Sequence, residues 1–307
     1  MLRYVGNAPY CYADSTSMLL ASIEEDVPSS RIEVLTGVGL GAFWIGEENL
    51  ILFSSTPPDV GVSQALTLLG FECTEKSWPE TAPAPLEELR ADLAKSPAVL
   101  GPLDMGYLAY LPFDEPGADH YVLAYAMDES EICLHDPAGF PLVSLPLDRL
   151  ELAWKAERIG YRRGSYRYWT SPTRSHHPSV EEIYERALEC FRGGYGRADD
   201  LAARTHWSVG HDAILACADH VRTREVSPGE AGRMQGFTFR LGARRALDFA
   251  AFFDVRDTGL AALKRQQATL FGRCHTLAMR RDWPALASML QELADVEREF
   301  CDALLVR

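Results

Sequence analysis

The chain has 307 residues, of which 47% are hydrophobic and 24% are charged, and its formal net charge is −14. This length is sufficient for a sizeable core in one large domain or two modest ones. Such an acidic composition argues against nucleic acid or an anionic membrane as a partner.

The cysteine content and the hydropathy pattern indicate a cytoplasmic protein. Seven cysteines are scattered without CxxC spacing, which fits free thiols better than a disulfide framework or a zinc site. The first residues lack the apolar region of a signal peptide, and no apolar run is long enough to span a membrane. We therefore expect free thiols in a reducing compartment, with no metal and no cofactor.

The first predicted element is a helix in the stretch GNAPYCYADSTSMLL, residues 6–20. Asp14 or Ser15 is the expected N-cap, which places Cys11 at the entry of the helix. Unpaired N–H groups at a helix N-terminus lower the pKa of a nearby thiol. Cys11 is thus a candidate nucleophile, although a lone cysteine in this position is also typical of ordinary packing.

A glycine-rich stretch, LTGVGLGAFWIG, follows at residues 35–46. Its glycines do not open a helix with GxGxxG spacing, so the pattern does not favour a dinucleotide site. Such a turn either makes a tight bend or brings backbone N–H groups close to a substrate. In the second interpretation Gly39 and Gly41 contact substrate, and Phe43 forms part of a pocket wall.

Further along, residues 84–158 predict a helix, a group of strands and a second helix. Leu86, Leu89 and Leu93 have helical spacing, whereas several short apolar stretches bounded by Gly, Pro and Asp resemble strands. The predicted strands lie within 98–112, 120–130, 131–137 and 142–146, and the last helix covers 147–158. Helices followed by a strand cluster indicate an α+β domain with an antiparallel sheet.

The stretch DHYVLAYAMDESEICLHDP predicts a β-hairpin with its turn at residues 128–130. Paired residue numbers in a hairpin have a near-constant sum, so His120 and Asp136 are expected at the same open end, directly opposite or one position apart. A carboxylate there would hold an imidazole in one tautomer, as a Cys-His-Asp site requires. Alternatively, His120 only starts a strand and Asp136 only begins an Asp-Pro turn.

Neighbouring polar residues of this hairpin are interpreted as structural. Strand alternation points His135 away from the face of Asp136, which makes His135 a poorer base than His120. Cys133 and Asp119 are off-phase or flanking.

The sequence changes character near residue 172. YWTSPTRSHHPS, residues 168–179, is polar and has two prolines, as expected of an interdomain connection. After it the apolar period becomes 3.6 almost throughout, which predicts a mainly helical layer or bundle. The predicted domains are therefore 1–172 and 173–307. The three apolar stripes comprise Val180, Ile183, Tyr184, Ala187, Leu188 and Phe191; Leu260, Leu263, Leu270, Phe271, Cys274 and Leu277; and Leu286, Met289, Leu290, Leu293, Val296, Phe300 and Leu304.

Together these stretches resemble the butirosin biosynthesis protein H family. The similar parts are the early cysteine before a helix, GVGLGAFW, the hairpin and PLDRLELAW, and the helical remainder with RRALDFAAFF resembles the C-terminal domain of that family. The resemblance implies a papain-like, C39-peptidase-like N-terminal domain with an antiparallel sheet, followed by a mainly α-helical domain. It also implies an acyltransferase that takes an acyl group from an acyl carrier protein thioester to an amine.

Carried over to this chain, the resemblance makes Cys11 the nucleophile, His120 the general base and Asp136 the orienting acid. Papain-like enzymes usually place a glutamine before the nucleophile as an oxyanion donor, and this chain has none there. Asn7, the backbone N–H of Cys11, or the glycine loop around Gly39 and Gly41 would take its place.

Three functions are consistent with these residues. The leading hypothesis is a cysteine acyltransferase of secondary metabolism, with an acyl carrier protein or other thioester as donor and a small-molecule amine as acceptor. The second is a C39-like cysteine hydrolase or cyclase acting on a peptide or thioester. The third is a non-catalytic binding protein that has kept a papain-like fold.

Overall fold

The structure is a computed structural model that describes residues 5, 10–112, 116–205 and 207–306. The helices are α1 Cys11–Ala21, α2 Ser29–Thr36, α3 Pro58–Leu68, α4 Leu86–Leu93, α5 Leu147–Lys155, α6 Val180–Thr205, α7 Gly210–Thr223, α8 Pro228–Arg233, α9 Phe239–Asp254, α10 Thr258–Arg280 and α11 Trp283–Val306. The strands are β1 Phe43–Ile45, β2 Leu50–Leu52, β3 Phe71–Trp78, β4 Ala98–Asp104, β5 Asp119–Met127, β6 Glu131–Asp136, β7 Phe140–Pro146, β8 Ser165–Arg174 and β9 Ser208–Val209.

These elements form two compact units that are not continuous in sequence. The first contains the chain up to Thr36 together with Pro57–Ile183, and the second contains Gly37–Thr56 together with the chain from Tyr184. The division into 1–172 and 173–307 stays a prediction about domains. The compact units differ from it because the segment Gly37–Thr56, with β1 and β2, clusters with the C-terminal residues.

The first unit is built on a six-stranded sheet with the strand order β3-β8-β4-β5-β6-β7. All its neighbouring strands are antiparallel. The predicted hairpin is present as β5 and β6, with Leu123 opposite His135 and Met127 opposite Ile132. The sheet and its helices confirm the α+β class of the N-terminal part.

Helices cover both faces of this sheet because its strands alternate apolar side chains to both sides. On one side, Tyr121 of β5 packs edge-on against Tyr12 of α1, with ring centroids 5.8 Å apart. On the other side, Val122 belongs to a buried cluster with Leu89 of α4 and Leu150 of α5.

The interdomain connection predicted at 168–179 is wrong for most of its length. Residues Ser165–Arg174 form β8, whose Tyr168 and Trp169 are buried between β3 and β4. The two prolines are the reason for the wrong prediction. Pro172 lies beyond Thr170, which forms with Ala98 the last residue pair that joins β8 to β4. A missing backbone N–H at that position therefore breaks no bond to β4.

The predicted N-cap of the first helix is also wrong. The helix begins at Cys11, with Tyr10 at the N-cap position, and the Asp14 N–H donates to the Tyr10 carbonyl at 2.7 Å. Asp14 and Ser15 are buried inside the helix, and the Ser15 hydroxyl bonds the carbonyl of Tyr121 on β5 at 3.2 Å. Contact with the sheet thus outweighs the local capping preference of these two residues.

The second unit is mainly helical, as predicted for the C-terminal part. Its long helices α6, α10 and α11 cover the three predicted stripes, and most stripe residues are buried; Val180 is exposed instead. A small sheet of order β2-β1-β9 completes the unit, with Phe43 opposite Val209. Trp44 and Phe53 from this early segment enter the same apolar cluster as Phe271 of α10.

A buried polar network lies inside the second unit. The Lys264 ammonium donates to Gln267 at 2.8 Å and stands 3.8 Å from the ring centroid of Phe300. Gln267 donates to Glu297 at 2.7 Å, and the Tyr195 hydroxyl donates to the other oxygen of the same carboxylate at 2.7 Å. These groups lie within helices, so the packing of α6, α10 and α11 depends on charged as well as apolar contacts.

Candidate active site

Cys11 is placed by the start of α1 at one end of the six-stranded sheet. It is the first residue of the helix, where backbone N–H groups have no acceptor within the helix. Its half-buried thiol lies close to the His120 imidazole and to the backbone N–H of Tyr121, and both groups lower the pKa of the thiol. The first residues of β5 therefore contact the thiol through both a side chain and the backbone.

His120 connects the thiol to a carboxylate. Its Nε2 lies 2.7 Å from Oδ1 of Asp136, and the two side chains are 7% and 0% exposed. Because Nε2 is bonded to Asp136, Nδ1 is the ring nitrogen left for the thiol of Cys11. The hairpin arithmetic correctly placed His120 beside Asp136 at the open end, although the register of Leu123 with His135 makes the two residues diagonal neighbours and not directly opposite. Cys11 lies near enough to His120 to raise the pKa of the imidazole.

Asp136 is held by further donors that fix the direction of its carboxylate. Oδ1 also accepts from the backbone N–H of Ala138 at 2.7 Å, in the turn between β6 and β7. Oδ2 accepts from the hydroxyl of Tyr110 at 2.7 Å. Asp136 is therefore both a turn residue and the partner of His120, so the two interpretations of this residue are not exclusive.

Tyr110 is the site residue that the sequence did not indicate. The apolar stretch 98–112 resembles one long strand, but β4 ends at Asp104 and is followed by a 3-10 turn at Met105–Tyr107. That irregular chain segment returns Tyr110 to Asp136. No spacing rule relates residues 26 positions apart across such a turn.

The electrostatics of the three groups are strongly coupled. Burial alone would lower the pKa of His120, but the hydrogen bonds to Asp136 and Cys11 outweigh it and raise the pKa to about 10. Burial would raise the pKa of Asp136, yet the hydrogen bond from His120 holds it below its usual range. At neutral pH the site therefore contains an imidazolium between a carboxylate and a sulfur.

The pKa of Cys11 is raised, so its surroundings favour the protonated thiol over the reactive thiolate. Burial is the largest cause, while the hydrogen bond and the positive charge of His120 lower it. The nearby Asp119 carboxylate raises it further. The protons on the thiol and the imidazole consequently belong to a shared pair, and loss of one of them produces a thiolate beside an imidazolium.

The remaining predicted site residues either are outside the described residues or belong to the second compact unit. Asn7 is outside the described residues. Gly39, Gly41 and Phe43 belong to the second compact unit. Gly41 has φ +73, and a side chain there would press on Ser55. Their substrate-binding role stays a prediction.

His135 lies apart from the Cys11 site, as expected from strand alternation. It is buried, its Nδ1 accepts the backbone N–H of Leu142 at 3.2 Å, and its ring packs on Tyr125 at 4.8 Å. Cys133 is half-buried on the same strand. These contacts support the structural interpretation of both residues.

Two features are absent from the described part of the chain. No cluster of three or more His, Cys, Asp or Glu residues there is arranged to hold a metal ion. In the same residues, no helix combines the length and the apolar character needed to cross a bilayer.

Fold and site together define an α+β protein with a cysteine beside a hydrogen-bonded histidine and aspartate at the end of an antiparallel sheet. The chain is 41% identical over 302 residues to the uncharacterized protein YobF of Bacillus subtilis (strain 168), covering 98% of this chain and 97% of that protein. Residues 204–305 match the family model described as the YobF C-terminal domain. The chain belongs to the YobF family.

Proposed function

We propose that this protein is a cysteine-dependent acyltransferase that passes an acyl group from a thioester to an amine through an acyl-enzyme at Cys11. The observation that carries the proposal is the position of His120, which lies beside the Cys11 thiol and bonds Asp136 through Nε2 at 2.7 Å. One imidazole can then move a proton at the sulfur while the carboxylate holds its ring and its charge.

In the first step, the Cys11 thiolate attacks the carbonyl carbon of the thioester. A bond forms between the Cys11 sulfur and the acyl carbon, and the bond from that carbon to the donor sulfur breaks. The His120 imidazolium gives its proton to the departing donor sulfur and becomes a neutral imidazole. Asp136 stabilises the imidazolium before this transfer and keeps the ring in place after it.

In the second step, the neutral imidazole of His120 serves as the base. The acceptor amine attacks the acyl carbon, a C–N bond forms, and the bond from that carbon to the Cys11 sulfur breaks. One amine proton passes to His120, which restores the thiolate and imidazolium pair. Exchange of one thioester for another is nearly isoenergetic, so the main contributions of the enzyme are to position the reactants and to exclude water.

The oxyanion formed in both steps needs N–H donors near Cys11. The first-turn N–H groups of α1 point out of the helix start and have no intrahelical acceptor. We assign the backbone N–H of Cys11 this role, with the helix dipole adding positive potential at the same place.

The resemblance to the butirosin biosynthesis protein H family favours transfer over hydrolysis. It suggests a papain-like N-terminal domain, an acyl carrier protein as the thioester donor, a small-molecule amine as the acceptor, and a cytoplasmic biosynthetic role. If water instead of an amine resolves the acyl-enzyme, the same three residues make the protein a hydrolase.

The proposal is tested by trapping the acyl-enzyme. The full-length protein is incubated with an acyl N-acetylcysteamine thioester, a surrogate for the carrier-protein arm, and intact mass and peptide mapping are measured. We expect one acyl group on Cys11, none in Cys11→Ala, and normal labelling in Cys133→Ala, which removes another half-buried thiol. Labelling that persists in Cys11→Ala would exclude Cys11 as the nucleophile.

The acceptor is tested on the same acylated protein. Added amines should be recovered as amides, while buffer alone should release the acyl group more slowly. Release of free acid at one rate with or without amine would replace the transferase by a hydrolase.

The role of Asp136 is tested by Asp136→Asn. We expect acyl-enzyme formation to slow about 10²- to 10⁴-fold with the circular dichroism spectrum unchanged, because the imidazolium loses its stabilising charge. Asp128→Asn is the matched control, since Asp128 also accepts backbone N–H groups in a turn of the same hairpin but lies at its closed end. Equal rates in the two variants would reduce Asp136 to a turn residue.

A further inference from the structure

A second carboxylate lies beside the Cys11 site. Asp119 precedes His120 at the start of β5, so its side chain points to the same side of the strand as that of Tyr121. Tyr121 packs on Tyr12 of α1, the helix that begins at Cys11. Asp119 is therefore at the level of the thiol, on the sheet face that α1 covers.

Two phenols hold this carboxylate in place. The Tyr161 hydroxyl donates to Oδ2 of Asp119 at 2.7 Å, and the Tyr121 hydroxyl lies 3.1 Å from that of Tyr161. Since the hydroxyl proton of Tyr161 is donated to Asp119, the hydroxyl of Tyr121 is the donor in its hydrogen bond with Tyr161. Ser15 of α1 donates to the carbonyl of Tyr121, so the chain Tyr121–Tyr161–Asp119 begins at a residue that contacts the helix of the nucleophile.

Asp119 differs from the other carboxylates of this region because it has no cationic partner among the described residues. Asp59 is paired with Arg163 at 3.2 Å, and Asp136 with His120 at 2.7 Å. Among the described residues, no lysine, arginine or histidine forms an ion pair with Asp119, and its side-chain hydrogen bond comes from the neutral Tyr161. The residue is half-buried, so one part of it faces solvent.

An anion in this position works against the nucleophile. It raises the pKa of Cys11, because a thiolate would form next to an existing negative charge. A cation bound to Asp119 would remove this repulsion and make the thiol more reactive. Carboxylate and ammonium are complementary in charge and hydrogen bonding.

We propose that Asp119 binds an ammonium group of the substrate and that this binding activates Cys11. The inference rests on the proposed function. It adds that the substrate carries a positive charge and that binding of this charge makes the Cys11 thiol more reactive. Asp119 is a positioning and charge-sensing residue: it sits beside the reacting sulfur and takes no proton. The ammonium group belongs either to the acyl chain of the donor or to a second amine of the acceptor.

The first experiment needs no turnover. Alkylation of Cys11 by iodoacetamide is followed by mass spectrometry at pH 7.5, with and without ethylenediamine dihydrochloride, at constant ionic strength. We expect the diamine, which carries at least one ammonium group at this pH, to accelerate alkylation roughly threefold, which corresponds to about half a pKa unit. We expect Asp119→Asn to be alkylated roughly twofold faster than wild type without the diamine and to gain nothing from it.

The sign of this effect separates the proposal from a structural role. Loss of a merely structural contact would leave alkylation unchanged or slow it, because the strand that carries His120 would loosen. Tyr161→Phe is the second variant, since it keeps the Asp119 charge, and it should retain the acceleration by the diamine. Glu129→Gln is the matched control: it makes the same change of charge at the exposed turn of the same hairpin, roughly 25 Å along the strand from Asp119.

Two further arms identify the source of the ammonium group. In the donor arm, acylation by β-alanyl and butyryl N-acetylcysteamine thioesters is compared, because the two acyl chains differ essentially in the ammonium group. In the acceptor arm, the butyryl-enzyme is resolved with ethylenediamine or propylamine. In one arm, the preference of wild type for the ammonium-bearing member should be several-fold larger than the preference of Asp119→Asn, which measures the intrinsic difference in reactivity between the two compounds.

The outcomes distinguish the inference from the proposed function. If no acyl group reaches Cys11 but the diamine still accelerates alkylation in an Asp119-dependent manner, the acyltransferase proposal fails and the ammonium site stands. If acylation proceeds but neither alkylation nor either arm responds to an ammonium group, the inference on Asp119 is overturned.

Discussion

The buried lysine of the second unit gives a prediction whose size follows from the structure. Lys264 is 2% exposed and is bonded to Gln267, with the aromatic face of Phe300 against its ammonium. Burial lowers its pKa from 10.5 to about 8, although the negative charge of Glu297 opposes that shift. The folded protein therefore binds a proton at this position less tightly than the unfolded chain does.

The contribution of Lys264 to the free energy of unfolding depends on pH. Between about pH 8 and pH 10.5 the unfolded chain keeps the proton on this lysine while the folded protein has lost it, so the free energy of unfolding rises with pH. Each pH unit in this interval is worth about 1.4 kcal/mol. Lys264 thus contributes an increase of about 2.5 kcal/mol between pH 7 and pH 10.

The assay compares urea unfolding of wild type and Lys264→Met at pH 7 and pH 10. Other groups that titrate in this range are common to both proteins and cancel in the difference. We expect the stability of the variant relative to wild type to fall by about 2 to 3 kcal/mol from pH 7 to pH 10. Lys95→Met, which removes an exposed lysine, should show no such change. A relative stability that is the same at both pH values would refute the buried, deprotonating lysine.

Two further predictions concern the candidate active site. The rate of Cys11 alkylation, followed by mass spectrometry, should rise with pH as the thiol and imidazole pair loses its first proton. In Asp136→Asn this rate should be at least about tenfold lower at pH 7 to 9, because His120 loses the cause of its raised pKa. Equal pH profiles of the two proteins would contradict this prediction. Tyr110→Phe removes a 2.7 Å hydrogen bond to a carboxylate whose pKa is lowered, and stability from such a group is present above its unfolded pKa and lost as the pH falls. The acid unfolding midpoint, followed by circular dichroism, should therefore move to higher pH, and a midpoint equal to that of wild type would show that Tyr110 does not stabilise the ionised Asp136.

Local patterns in the sequence predicted the parts of the site that depend on one hairpin. His120 and Asp136 are 16 residues apart around a short turn, so strand alternation and the position of the turn were enough to place them together. The contact with Cys11 joins residues more than a hundred positions apart. Only the family resemblance, and no spacing rule, suggested that contact before the structure.

The failures have a common physical cause, which is tertiary burial. Asp14 and Ser15 are good capping residues, but the sheet buries them inside α1. Pro172 is typical of a connection, yet the end of β8 tolerates it beyond its pairing with β4. In both cases a local preference of about 1 kcal/mol is smaller than the packing energy of the element that contains the residue.

The early segment Gly37–Thr56 has a consequence for how the chain acquires its structure during synthesis. The second unit draws Trp44, Ile51 and Phe53 from this segment, and its remaining residues begin at Tyr184. On the ribosome, these side chains therefore emerge more than a hundred residues before the helices they will pack against. A fragment limited to 204–305, the range of the YobF C-terminal domain model, lacks the strand that pairs with Ser208 and Val209. The second unit can thus be completed only after the chain between its two parts has been made.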